Sequence, residues 1–153
     1  MKKLVMTSAL FLTMAHANVS IQSASFQEHT TVNANGEKVV EWVKASKVVP
    51  GTVIRYVNSL ANSGIKSATK LVINNPIPEN MEYVANTASC QSMCHISYSI
   101  DGGKTFKEAS DLLVGVGQER HVAKASEYTN IRWVLNSLAA TSKSAVMYNA
   151  RLK

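Results

Sequence analysis

After its first seventeen residues the 153-residue chain has no second long apolar run, no block of like charge, no low-complexity tract and no internal repeat or interdomain linker. The missing apolar run argues against an integral membrane segment there, because a spanning helix needs about twenty apolar residues. The missing charge blocks argue against a nucleic-acid partner. Lys38, Lys44, Lys47, Arg55, Lys66, Lys70, Lys104, Arg120, Arg132 and Arg151 are scattered, with nothing like a nucleic-acid arm or a polybasic lipid patch. No Gly-x-Ser-x-Gly elbow, His-x-x-x-His pair or glycine-rich phosphate loop is present, so the local signatures of several enzyme classes are missing.

The N-terminus is what the chain does have. Met1-Lys2-Lys3 is followed by an uncharged apolar stretch from Leu4 to Met14 and by Ala15-His16-Ala17, the order of a secretory signal with a small-x-small cleavage site. The apolar stretch is too short to span a bilayer. It predicts a signal peptide over residues 1–17, cleaved between Ala17 and Asn18. No cysteine adjoins that site, which disfavours a lipoprotein anchor. The working protein is then one exported domain, residues 18–153, periplasmic or extracellular at the cell surface. Losing Lys2 and Lys3 lowers the formal charge from +6 to +4. That is a mild excess.

Period-two alternation recurs along the remainder, and helical periodicity is scarce. Ile96, Tyr98 and Ile100 alternate with Ser97 and Ser99. Ile131, Trp133 and Leu135 flank Arg132 and Val134, and Val146, Tyr148, Ala150 and Leu152 alternate with more polar neighbours. Further strands are predicted at 19–27, 38–44, 52–61, 68–74 and 81–85, separated by turns such as Asn35-Gly36, Pro50-Gly51, Asn62-Ser63-Gly64 and Asp101-Gly102-Gly103. Residues 109–126 read equally as short helix, strand or loop. The pattern predicts an all-β, antiparallel β-sandwich of immunoglobulin-like, Greek-key type with seven to eight strands.

Several of these pieces occur in a familiar order. Val49-Pro50-Gly51-Thr52, Arg55-Tyr56, Asn62-Ser63-Gly64, Leu71-Val72-Ile73, Asn75-Pro76-Ile77-Pro78 and Met81-Glu82-Tyr83-Val84 follow one another, and Arg132-Trp133-Val134-Leu135 precedes a final strand. The series resembles the bacterial domain of unknown function eleven, over roughly Lys38 to Leu152. Asn75 stands where that family usually has Asp, and one copy is present where many members carry tandem arrays. The resemblance implies an immunoglobulin-like module with a structural or adhesive role and no enzymatic activity.

Two segments carry chemistry. Cys90-Gln91-Ser92-Met93-Cys94-His95 is expected to form a disulfide between Cys90 and Cys94 in an oxidising compartment. Its rival is a metal or redox site using Cys90, Cys94 and His95 with Met93, since sulfur and imidazole suit copper or zinc. A haem attachment motif would need two residues between the cysteines rather than three. Ser99, Asp101, Gly103, Thr105 and Phe106 match the Asp-box hairpin, in which the Asp accepts backbone N–H groups across a tight turn. A single copy reads as structural turn chemistry.

Nothing else assembles into a catalytic set. His29, His95 and His121 are scattered, and Glu79, Glu82, Asp101, Glu108, Asp111, Glu119 and Glu127 show no spacing that singles out a pair. Trp42, Tyr56, Tyr83, Tyr98, Trp133 and Tyr148 lie on apolar sides of alternating strands and are expected in the core rather than on a carbohydrate-stacking face. Asn58 shares a side with Tyr56 and Leu60, so it needs a hydrogen-bond partner if that side is buried. The expected function is a non-enzymatic module without cofactor that meets a protein partner in the cell envelope or at the surface through an edge strand or loop. The alternative is a periplasmic metal-binding or redox protein.

Overall fold

A computed structural model describes residues 18–153; the predicted signal peptide lies outside the described residues. The chain is all-β and its strands pair antiparallel. In order they are β1 (Val19–Val32), β2 (Lys38–Lys44), β3 (Val53–Asn62), β4 (Ala68–Pro76), β5 (Met81–Tyr83), β6 (Ser89–Cys90), β7 (Cys94–Ser99), β8 (Leu113–Val114), β9 (His121–Val122), β10 (Asn130–Leu138) and β11 (Lys143–Leu152). The two-residue pieces β6, β8 and β9 are additional to the strands that periodicity predicts. Residues 109–126 form three short 3-10 turns around the β8–β9 hairpin, so both the helical and the extended readings apply there over a few residues each.

One sheet has six strands in the order β2-β1-β3-β11-β5, with β6 also on β11, and a second has the order β4-β10-β7. Their facing sides build the core. Ile54, Leu60, Val146, Tyr148 and Ala150 come from the larger sheet, and Ile73, Ile131, Trp133 and Leu135 from the smaller. Burying such side chains contributes about 1.5–3 kcal/mol each relative to exposure. The Nε1 of Trp133 is a buried donor with no acceptor.

Polar groups cross the sandwich at two levels. Asn58 accepts from Ser23 Oγ at 2.7 Å and donates to Asn75 Oδ1 at 2.8 Å, which supplies the partner its burial demands. Asn62 donates to the carbonyls of Lys66, Leu138 and Ala139, and its Oδ1 accepts the backbone N–H of Gly64 and Asn18. It thereby ties the turn after β3 to the end of β10.

Tyr56, Tyr83, Tyr98, Trp133 and Tyr148 belong to or pack against the core, as expected. Trp42 does not. It pairs with Glu28 on the outer side of the larger sheet, and the Arg55 guanidinium lies 3.9 Å over its ring. Both sides of β2 carry apolar residues, Val39 and Val43 on one and Val40 and Trp42 on the other. Alternation therefore could not choose between them.

Candidate functional site

Strand β1 makes two offset pairings. Its first part, Val19 to Gln27, pairs with β3 from Asn62 to Ile54. Its second part, Phe26 to Val32, pairs with β2 from Lys44 to Lys38. The two registers overlap only at Phe26 and Gln27, so beyond Gln27 the ribbon has no third strand. It closes at a turn in which Asn33 Oδ1 accepts the backbone N–H of Asn35 and Glu37, and Gly36 takes a φ of +82°. Its tip exposes Val32 at 65% and Val40 at 52%. A two-stranded hairpin unsupported by further strands is marginally stable in water, and its outer edge offers unpaired backbone groups.

The cysteine segment sits elsewhere. Cys90 pairs with Val146 in the larger sheet, and Cys94 with Leu135 in the smaller. The two sulfurs are at bonding distance, with Cα atoms 6.5 Å apart. The pair thus staples the point where the chain crosses between sheets, and Cys90 and Cys94 pack against the core. His95, one residue further along β7, alternates to the outer side, opposite Val134, with its Nε2 3.9 Å from Glu108. Met93 is 80% exposed. Strand alternation thereby keeps His95 away from the cysteines, and the set Cys90, Cys94 and His95 does not converge. No group of three potential metal ligands occurs among the described residues.

The turn after β7 follows its sequence pattern closely. Asp101 accepts from Ser99 Oγ at 2.6 Å, from the backbone N–H of Lys104 and Thr105, and from Thr105 Oγ1 at 2.6 Å. The Ser99 and Thr105 side-chain bonds are the main reason its carboxyl is held well below the usual carboxylate range. Gly103 has a φ of +84°, and a Cβ there would meet the Asn130 amide at 3.1 Å. Phe106 lies under the Arg132 guanidinium, 3.6 Å from ring centroid to carbon. All acceptor capacity of Asp101 is turned onto its own loop.

The histidines remain apart. His29 is on the hairpin, while His121 places Nε2 3.5 Å from Glu127 and Nδ1 3.0 Å from the Glu119 carbonyl. The Glu127 carboxyl is lowered, chiefly by the Lys124 backbone N–H, then by His121. The tyrosines form a packed group. The Tyr83 and Tyr98 hydroxyls are 3.4 Å apart, and Tyr98 stacks on Tyr128 at 4.7 Å. Tyr128 belongs to this group although its own segment carries no alternation that marks it. Burial raises the Tyr98 and Tyr148 hydroxyls, with the Tyr83 hydrogen bond adding to the rise at Tyr98.

The larger sheet also carries an open groove of about 510 Å³ on its outer side, lined by residues of β1, β3 and β11 and by Gln91. No helix among the described residues is long and apolar enough to cross a membrane. No family model, curated protein or solved structure matches the chain.

Proposed function

We propose that this chain is an exported, non-enzymatic module that works by protein–protein contact in the cell envelope or at the surface, with the β1–β2 hairpin as its contact arm. The observation that carries this reading is the arm itself. Ribbon from Glu28 onward has only its own partner strand, yet it presents Val32 and Val40 to solvent. A partner that covers those valines, or adds a strand to the β2 edge, removes both costs at once.

The sandwich is proposed to be immunoglobulin-like in its layering and Greek-key in type, with the chain crossing between sheets at β3–β4, β4–β5, β6–β7 and β10–β11. Strand β11 pairs with β3 in the larger sheet, whereas the last strand of an immunoglobulin constant domain joins the smaller one; the arrangement is then a variant of that plan. The likeness to domain of unknown function eleven belongs to the same proposal, its motifs falling on β3, β4, β5, β10 and the turns beside the first three. Export through a signal peptide cleaved after Ala17 completes it. Asn18, the residue that cleavage would leave first, has its backbone N bonded to Asn62 Oδ1 at 3.3 Å.

The test replaces residues 29–41 with an Asn-Gly turn. The shortened protein is expected to unfold as cooperatively as the parent, while the parent alone migrates in a larger complex from gently solubilised envelopes. Equal migration of both forms overturns the assignment of the arm.

A further inference from the structure

The outer side of the larger sheet carries a second feature, distinct from the arm. None of its cations lies within 4.0 Å of a carboxylate among the described residues. Among the described residues the ion pairs within 4.0 Å are His95–Glu108 and His121–Glu127, so Lys38, Lys44, Arg55, Lys143 and Arg151 on this face are all without a carboxylate at that distance. Glu28 and Glu82 share the face, which leaves it net positive by three from the register of the strands.

Arg55 is held ready. Its Nε donates to Asn149 Oδ1 at 3.1 Å and its guanidinium lies over Trp42, which restrains the plane and leaves the terminal amino groups without a protein acceptor among the described residues. A guanidinium fixed in this way is arranged for two-point recognition of a carboxylate or sulfate. Arg132 uses the same device on the other sheet, with Nε to Asn74 Oδ1 at 2.8 Å and Phe106 beneath, but the smaller sheet contributes no residue to the groove of about 510 Å³.

Beside Arg55 runs the groove of about 510 Å³, whose floor is the small residues Ala61 and Ala145 and whose rim holds Gln22, Ser59, Gln91 and Lys143. The side chains of those four rim residues make no hydrogen bond to protein among the described residues. Strand register sets Lys143 opposite Ala61 at one end and Asn149 opposite Arg55 toward the other. Lys143 to Arg151 spans about 27 Å at the usual rise per strand residue. The lane is therefore cationic at its ends and offers the free Ser59 hydroxyl and the free amides of Gln22 and Gln91 between them.

We propose that this face binds a segment of an acidic polysaccharide, one that carries carboxylates or sulfates on hydroxyl-rich rings. A peptide pairs through its backbone at a sheet edge. This is a sheet face, where only side chains are presented, and its uncharged middle matches ring hydroxyls better than it matches a run of acidic side chains.

The purified protein, titrated with a short oligogalacturonate and followed by amide chemical shifts, is expected to respond at Gln22, Arg55, Ser59 and Met147. Affinity should drop about tenfold in Arg55→Gln and again in Lys143→Gln, stay unchanged in Arg132→Gln, and weaken with added salt. Urea midpoints of the variants verify that each remains folded, and Lys143→Gln, on the exposed rim, keeps the test open should Arg55→Gln destabilise. Equal binding of the methyl-esterified oligomer, equal binding of polyglutamate or inorganic phosphate, shifts mapping to another face, or no binding would each overturn the proposal.

Discussion

Asn58 on β3 and Asn75 on β4 meet between the two sheets, with Asn58 Nδ2 donating to Asn75 Oδ1 at 2.8 Å. Ser23 on β1 completes the contact from the other side. The residue that interrupts the apolar face of β3 is thus the one that joins the layers. Asn58 is only 4% exposed, whereas Ser23 is exposed and Asn75 half-buried, so replacing it removes two hydrogen bonds whose partners can turn to water. Asn58→Ala is expected to lower stability by about 1–3 kcal/mol, measured by urea denaturation. A double-mutant cycle with Asn75→Ala should show coupling between the two sites.

The cysteine staple gives a second expectation. Cys90 and Cys94 are four residues apart, and so small a closed loop constrains the unfolded chain only modestly. Replacing both by Ser should cost about 2 kcal/mol. Alkylation without reductant should label neither cysteine, and reduction before alkylation should label both.

Asp101 makes stability depend on acid. Its carboxyl is lowered in the folded protein, first by the Ser99 hydroxyl and then by Thr105. The charged form is therefore favoured by folding, and its contribution is complete above the ordinary carboxylate value. As pH falls below about 4 the unfolded chain takes up the proton first and that contribution is progressively lost. The urea midpoint should fall more steeply between pH 5 and pH 2 for the parent than for Asp101→Asn. Parallel curves would contradict this reading of the turn.

At the alkaline end the sign reverses in proton terms. Burial pushes the Tyr148 hydroxyl up to about 12, with the Asn75 bond opposing it slightly. Folding holds that proton, so the contribution is full below pH 10 and is lost as pH rises from there toward about 12. In a pH series above 10, Tyr148→Phe should lose stability more gradually than the parent. Absorbance at the phenolate band should show the buried tyrosines titrating together with unfolding.

What could be read from the chain follows from how local each feature is. The Asp101 turn was legible because Ser99, Asp101, Gly103 and Thr105 satisfy one another within a few residues. Strands β10 and β11 were legible because one side is far more buried than the other, which writes a period of two into the sequence; β7 shows the same period because serines alternate with Ile96 and Tyr98, although Ser97 and Ser99 are themselves buried. Trp42 was misplaced because β2 has no such asymmetry. His95 looked like a ligand beside Cys94 only because adjacency in sequence hides alternation in a strand. The projecting arm was invisible for a different reason. Its second strand and its Asn-Gly turn were predicted, but the predicted first strand stops at Gln27, where the arm begins; the extension to Val32 and the departure of β1 from β3 at Gln27 have no local signal.

The central claim, that the hairpin is a contact arm, is tested most directly by a photo-crosslinking residue placed at Val40 and, as a comparison, at exposed Val122 on β9. Irradiation of living cells should give one discrete adduct from position 40 and none from position 122. No adduct from position 40, or the same adducts from both, would contradict it.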